Sequence, residues 1–143
     1  MATERKASVT WQGDLMSGHG TIESVTSGEL GPLEVDWANR AEDAQGKTSP
    51  EELIAAAHAA CFAMALSHGL AQEGHAPERL ETSSTVTFVP GTGITKSALT
   101  VRGSVPGLDE DGFRQAAEQA KENCPVSSAL KGNVELELDA QLA

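Results

Sequence analysis

The stretch from Ser49 to Gly74, "SPEELIAAAHAACFAMALSHGLAQEG", constrains this chain more than any other. Ser49 is a good helix cap, because its hydroxyl accepts from the unpaired N–H groups of a first turn, and Pro50 has the fixed φ that suits the first helical position. Glu52 stands three residues after the cap, the spacing of a capping box. From there the pattern runs to about Glu73, where Gly74 can end it. The middle of this helix, "LIAAAHAACFAMAL", is apolar on every face. Such a helix is expected to be surrounded on all sides by protein. A chain of 143 residues is one domain in length and wraps a helix that long only with difficulty. The expectation is a dimer with this helix at its centre.

Composition points the same way. The chain carries three Phe, two Trp and no Tyr, so its interior is built mainly from Ala, Val, Leu and Ile. Small side chains bury little area each, which favours further burial by oligomerisation. The net charge is −11, and beyond Arg5-Lys6 there is no basic cluster. Neutralising phosphates needs a positive face, so no nucleic acid and no anionic membrane surface is expected as a partner. The start, "MATERKASVTWQGD", has no apolar signal region, and the apolar run from Leu53 to Leu66 covers 14 residues, short of a span. The reading is a cytoplasmic protein. Two cysteines in a reducing compartment are more often reactive or merely buried than a structural staple.

No repeat, low-complexity tract or long linker divides residues 1–143, which read as a single domain. The first part alternates β-prone pieces, around Val9–Trp11 and Thr21–Val25, with Gly-rich turns, and predicts hairpins. "LEVDW" (33–37) is a further short run, and "ANRAEDAQGKTS" reads as a polar loop. After the long helix come "STVTFV" (84–89), a "PGTG" turn and "ALTVRGSV" (98–105) as two strands. A helix is expected from Asp109, a short helical piece from "CPVSSALKG", and a last strand over "VELELD" (134–139) with one wet face. The order implies an α+β domain with a largely antiparallel sheet.

Cys61 lies in the middle of the apolar helix. On composition alone it reads as a small core residue, and an apolar site raises a thiol's pKa unless a cation lies close by. Cys124 precedes Pro125 at a helix start, where unpaired N–H groups favour a thiolate. The two cysteines are either an attacking and a resolving thiol or two unrelated core residues; a separation of 63 residues does not decide between them. A metal site is the weaker reading: His58, Cys61 and His68 give H-x2-C-x6-H, and the last two are two turns, about 10 Å, apart on a helix.

Of the five arginines, Arg40 sits just before the long helix, whereas Arg102 and Arg114 fall on polar sides of a strand and a helix. Glu51 is a candidate orienting partner for an arginine, or simply a favourable charge at a helix N-terminus. Glu51 and Cys61 are ten residues apart on one helix, about 15 Å along its axis. They meet only if two such helices pack antiparallel about a two-fold axis.

"SPEELIAAAHAACFAMAL", followed some sixty residues later by "NCPVS", resembles the OsmC/Ohr family of thiol-dependent peroxidases, and the likeness runs from "WQGD" to "VELELD". The resemblance implies an intertwined homodimer in which antiparallel β-sheets wrap two long central helices, with active sites at the interface. It implies Cys61 as the peroxidatic nucleophile, Cys124 as the resolving thiol, and a nearby arginine and glutamate. Glu51 matches the glutamate of the family's "PE" motif. The early loop "GDLMSGHG" holds no arginine, whereas "ANR" supplies Arg40 as OsmC-type members do, and "AAHAAC" is also nearer that branch.

The implied chemistry needs no metal and no cofactor. Arg40, held by Glu51, stabilises the Cys61 thiolate and orients the peroxide. The resulting sulfenic acid condenses with Cys124 to a disulfide, and a dithiol, by resemblance a dihydrolipoyl group, resets the pair. Alanines, Met64 and Phe62 are expected to form an apolar lining that prefers organic hydroperoxides to hydrogen peroxide. Two other readings stand: a peroxide-responsive redox sensor or binding module without efficient turnover, and a structural dimer with inert cysteines.

Overall fold

Alternation and turn glycines near the start of the chain produce strands as expected. The computed structural model describes residues 2–143 and divides into two compact units, Met1–Leu53 and Ile54–Ala143.

In the first unit, β1 (Ala7–Gln12), β2 (His19–Val25) and β3 (Leu33–Val35) form an antiparallel sheet in that order. Gly20 pairs with Trp11 across this sheet, and a Cβ there would lie 2.6 Å from Trp11 Cε3, so the indole occupies the space a side chain would need. The segment after β3 departs from expectation. Rather than a loop, Trp37–Ala41 form a short helix, α1, so Arg40 stands on a helix. Asp36 caps it, its Oδ1 accepting from Asn39 N–H at 2.8 Å, while its Oδ2 is 2.8 Å from Lys47 Nζ. Both contacts hold the Asp36 carboxyl below its usual range, the lysine first.

The long helix, α2, runs Pro50–Gln72. Its cap is as expected: Glu52 N–H donates to Ser49 Oγ at 3.1 Å. The reciprocal half of the capping box is replaced, because the Glu52 carboxylate accepts instead from the Thr48 hydroxyl at 3.0 Å. At the far end Gly74 adopts φ +85° and lets His75 N–H donate back to the Leu70 carbonyl at 2.8 Å.

In the second unit, β4 (Arg79–Val89) and β5 (Gly93–Ser104) make a long antiparallel hairpin. The chain then crosses through α3 (Glu110–Asn123) and α4 (Pro125–Leu130) to β6 (Glu135–Leu142), which pairs with β5 in parallel. The expected wet face of the last strand is present, with Glu135, Glu137 and Asp139 exposed and Ala140 buried. The largely antiparallel pairing is as expected, with β5–β6 the one parallel pair among the described strands. The physical basis of that pair is the crossover, since strands joined by helices run parallel where strands joined by a turn cannot.

The core of this unit joins Phe62, Leu66 and Leu70 of α2 to Leu99 and Val101 of β5 and to Phe113, Ala117 and Ala120 of α3. Four-residue spacing on α2 and three-to-four-residue spacing on α3 set both stripes on single helix faces. Gly103 of β5 lies under the Phe113 ring: a Cβ there would be 2.6 Å from Phe113 Cζ.

Within this single chain α2 is buried along one stripe only, and the cover expected for its remaining faces comes from no described residue of the chain itself. Ala56, Ala57, Ala60 and Met64 are exposed, Met64 to 73%. The whole helix, longer than the 14-residue run counted in the sequence, is also long and apolar enough to cross a membrane by length and composition alone. Core helices of folded domains meet the same test, and the packing of Phe62, Leu66 and Leu70 makes α2 one of these.

Candidate active site

Each unit assembles one pair of the expected residues. In the first, Arg40 of α1 and Glu51 in the first turn of α2 form a forked ion pair. Arg40 Nε lies 3.1 Å from Glu51 Oε1 and 3.2 Å from Oε2, and Nη2 lies 2.9 Å from Oε2. The carboxylate is 9% exposed and the guanidinium 31%, so the pair is partly desolvated and its charge-assisted bonds are strengthened. Local sequence explains the meeting: Asp36 fixes the start of α1, Ser49 fixes that of α2, and eleven residues separate the partners.

In the second unit, Cys61 of α2 and Cys124 at the N-cap of α4 are free thiols. Cys61 is half-buried and lies beside the Cys124 thiol, with the backbone N–H of Val126 facing its sulfur. The sequence leaves open whether the two cysteines meet; here they do. Burial pushes the Cys61 thiol up from its ordinary range, the Cys124 thiol adds to that, and Val126 N–H opposes it.

The helix-start expectation needs one correction. Cys124 makes no side-chain cap bond to α4. The first-turn N–H that meets sulfur, that of Val126, is directed at Cys61.

Phe62 also differs from expectation. It is fully buried in the core of its unit and lines no accessible surface. Met64, two residues on, faces outward. Arg79 pairs with Glu81 on β4, while Arg102 and Arg114 are exposed.

Among the described residues no three His, Cys, Asp or Glu side chains are grouped as metal ligands would be. His58 is fully buried and held between two hydroxyls, Nδ1 at 2.6 Å from Ser97 Oγ and Nε2 at 2.8 Å from Ser127 Oγ. Ser97 Oγ also meets Ser84 Oγ at 2.8 Å. Burial holds the His58 pKa below its ordinary value. No local pattern in the sequence announces this arrangement, since its partners lie 39 and 69 residues from His58. One signal for it exists: Ser97 shares a strand face with Leu99 and Val101, and a hydroxyl at an inward position requires a buried partner.

Comparison with known proteins agrees with this geometry. The family model described as "OsmC-like protein" matches residues 42–139. The Peroxiredoxin OsmC of Escherichia coli (strain K12) is 42% identical over 145 residues, covering 99% of this chain and 99% of that protein. Organic hydroperoxide resistance protein OhrB of Bacillus subtilis is 33% identical over 124 residues, 84% of this chain and 90% of its own. In three dimensions, the crystal structure of that OhrB superposes with a TM-score of 0.71 at 29% identity, covering 94% of this chain and 97% of the other. An organic hydroperoxide resistance protein of Elizabethkingia anophelis shares the fold at the same TM-score, 0.71, over the full length of both chains.

Proposed function

The chain belongs to the OsmC/Ohr family, and from that premise we propose that it is a thiol peroxidase whose peroxidatic residue is Cys61, whose resolving residue is Cys124 and whose substrates are organic hydroperoxides. The observation that carries this is the contact between the two thiols in the second unit. A sulfenic acid formed on Cys61 has its condensation partner already beside it.

The steps balance. The Cys61 thiolate attacks the terminal oxygen of ROOH; the O–O bond breaks, and ROH leaves with a proton, giving Cys61–SOH. The Cys124 thiol displaces that hydroxyl, a disulfide forms and water leaves. A dithiol then reduces the disulfide by two exchanges and is itself oxidised to a cyclic disulfide. A dihydrolipoyl group fits that requirement, because a 1,3-dithiol closes a ring as it leaves.

Burial alone leaves Cys61 a poor thiolate, so the first step calls for a cation. Arg40 is our candidate, with Glu51 holding its guanidinium in plane for the peroxide. We place this pair and Cys61 together in a homodimer in which the Arg40–Glu51 pair of one subunit serves Cys61 of the other. The exposed apolar face of α2 supports such a dimer: Ala56, Ala60 and Met64 offer close, flat packing for a second copy of the helix. Met64 and its neighbouring alanines also suit an alkyl or aryl peroxide better than hydrogen peroxide. Residues 1–143 are read as one domain, supported by the 99% coverage of both chains with the E. coli relative, and recycling by a dithiol suits the cytoplasm.

The test is consumption of cumene hydroperoxide by the purified protein with reduced lipoamide, beside Cys61→Ser and Cys124→Ser. Many turnovers by wild type, none by Cys61→Ser, and no disulfide in Cys124→Ser are expected. Consumption of a single equivalent by wild type, with no recycling by any dithiol, would establish the redox-sensor reading instead.

A further inference from the structure

We propose that His58 is the positioning residue of the resolving step: through Ser127 it holds α4 so that Cys124 stays against Cys61. The inference rests on the cysteine-pair reading above and adds a role that the peroxide-reducing step does not require.

Two pairs link α2 to the start of α4. Cys61 meets Cys124, and His58 meets Ser127. The α2 members are three residues apart, as are the α4 members, so each pair sits about one turn from the other on both helices. Only the cysteine pair changes covalently during turnover. The His58–Ser127 pair is outside the redox chemistry, and the structure seals it in: His58 is 0% and Ser127 2% exposed.

α4 needs such a hold. It has six residues, opens on Pro125 and receives no side-chain cap bond from Cys124, so its local stability is slight. Ser127 is its one fully buried polar side chain. Losing its partner would leave a buried hydroxyl and a buried imidazole nitrogen unpaired, and each would bear the full penalty of its lost hydration. A shift of α4 relieves that cost by admitting water, and the same shift withdraws Cys124. On the other side, Ser97 and Ser84 anchor His58 to the β4–β5 hairpin, so the imidazole is fixed before it reaches α4. A neutral imidazole donates from one nitrogen and accepts at the other, and hydroxyls serve in either sense, so the whole row is satisfied without a charge.

The consequence concerns one step. Disulfide formation is an intramolecular condensation whose rate depends on how well the second thiol is held near the first. Peroxide reduction at Cys61 does not depend on Cys124 in that way. Loosening α4 therefore slows resolution and lengthens the life of the sulfenic acid.

Two substitutions separate the two bonds of His58. His58→Gln places an amide nitrogen near the Nε2 position and retains the bond to Ser127. His58→Asn places one near Nδ1 and retains the bond to Ser97 alone. Each variant, with wild type, receives one equivalent of cumene hydroperoxide; peroxide loss, dimedone-trapped sulfenic acid and disulfide are followed by rapid quench and mass spectrometry. In His58→Asn, disulfide formation is expected to slow by about tenfold or more, while peroxide loss changes by less than about threefold. His58→Gln is expected to resolve near the wild-type rate.

Equal resolution in the two variants overturns the proposal, as does parallel loss of both steps in His58→Asn. Should a His58 variant not fold, Ser127→Thr and Ser127→Val make the same comparison at equal volume. Slow resolution in the valine variant alone supports the proposal, and equal rates overturn it. A wild-type protein that forms no disulfide would instead overturn the cysteine-pair reading.

Discussion

Arg40 and Glu51 are joined by two parallel hydrogen bonds, Nε to Oε1 at 3.1 Å and Nη2 to Oε2 at 2.9 Å, in a carboxylate site that is 9% exposed. That fork fixes the plane of the guanidinium, which a lysine ammonium at the same place would not do. Arg40→Lys is therefore expected to keep the charge and lose the orientation. With cumene hydroperoxide, kcat/KM should fall about 10²-fold in Arg40→Met and less in Arg40→Lys, the scale on which a single positioned electrostatic contact acts. Glu51→Gln should fall between them. Steady-state assays with reduced lipoamide check this order, and a lysine variant as active as wild type would show that charge alone matters.

The Cys61 thiol makes its own pH prediction. Burial and the Cys124 thiol both raise its pKa, so removing a stabilising cation leaves it protonated at neutral pH. The thiolate fraction at a fixed pH falls as the pKa rises, so alkylation by iodoacetamide must be slower and its pH curve must move to higher pH. Arg40→Met is expected to show that upward displacement relative to wild type. An unmoved curve would assign the activation of Cys61 to some other group.

His58 links burial to acid stability. Its pKa is lowered in the folded chain by burial, whereas an unfolded histidine titrates near ~6.5. Between those values the unfolded state binds a proton that the folded state does not. The stabilising contribution is thus present above the unfolded pKa and is lost as pH falls toward the folded one, by up to ~1.4 kcal/mol per pH unit. Urea unfolding at pH 7, 6 and 5 should show wild type weakening more steeply than His58→Gln. Parallel pH dependence in the two proteins would refute this assignment.

Much of this was legible from local sequence, and the exceptions share a cause. The cap of α2 is written in Ser49-Pro50 and its stop in Gly74, both within a few residues of the atoms they satisfy. α1 is not legible in the same way, because five residues carry no periodicity; it is capped by Asp36, which also pairs with Lys47 eleven residues on. The row around His58 joins partners 39 and 69 residues away, and no local window contains them. Phe62 and Met64 are both apolar residues on one helix. Only the position of the second unit's core decides that one is buried and the other exposed.

Gly103 has a steric reason to be glycine. A methyl group there would sit 2.6 Å from Phe113 Cζ and 3.1 Å from Leu80 Cδ2, inside contact distance of two packed side chains. Gly103→Ala is expected to destabilise by about 1–3 kcal/mol, the usual cost of overpacking. The double variant with Phe113→Leu should recover part of that loss, because the ring edge is what the methyl meets. Thermal unfolding of the two single variants and the double variant tests this, and strictly additive losses would exclude the contact as the cause.

The proposed dimer is tested by complementation. Alone, Cys61→Ser should be inactive and Arg40→Met should keep only about a hundredth of the wild-type kcat/KM. If Arg40 serves the partner's cysteine, a heterodimer of the two variants holds one complete site, built from Cys61 of one subunit and Arg40 of the other. Equal mixing after unfolding and refolding then gives half heterodimers, each with one working site in two, and activity returns to about one quarter of wild type. If each subunit uses its own Arg40, both sites of the heterodimer are incomplete and mixing restores nothing. Met64→Lys supplies the control. Met64 is 73% exposed in the single chain, so a lysine there is tolerated by the fold but buries a charge where two α2 helices pack. That variant should sediment as a monomer, and introducing it into both members of the mixed pair should abolish the recovered activity.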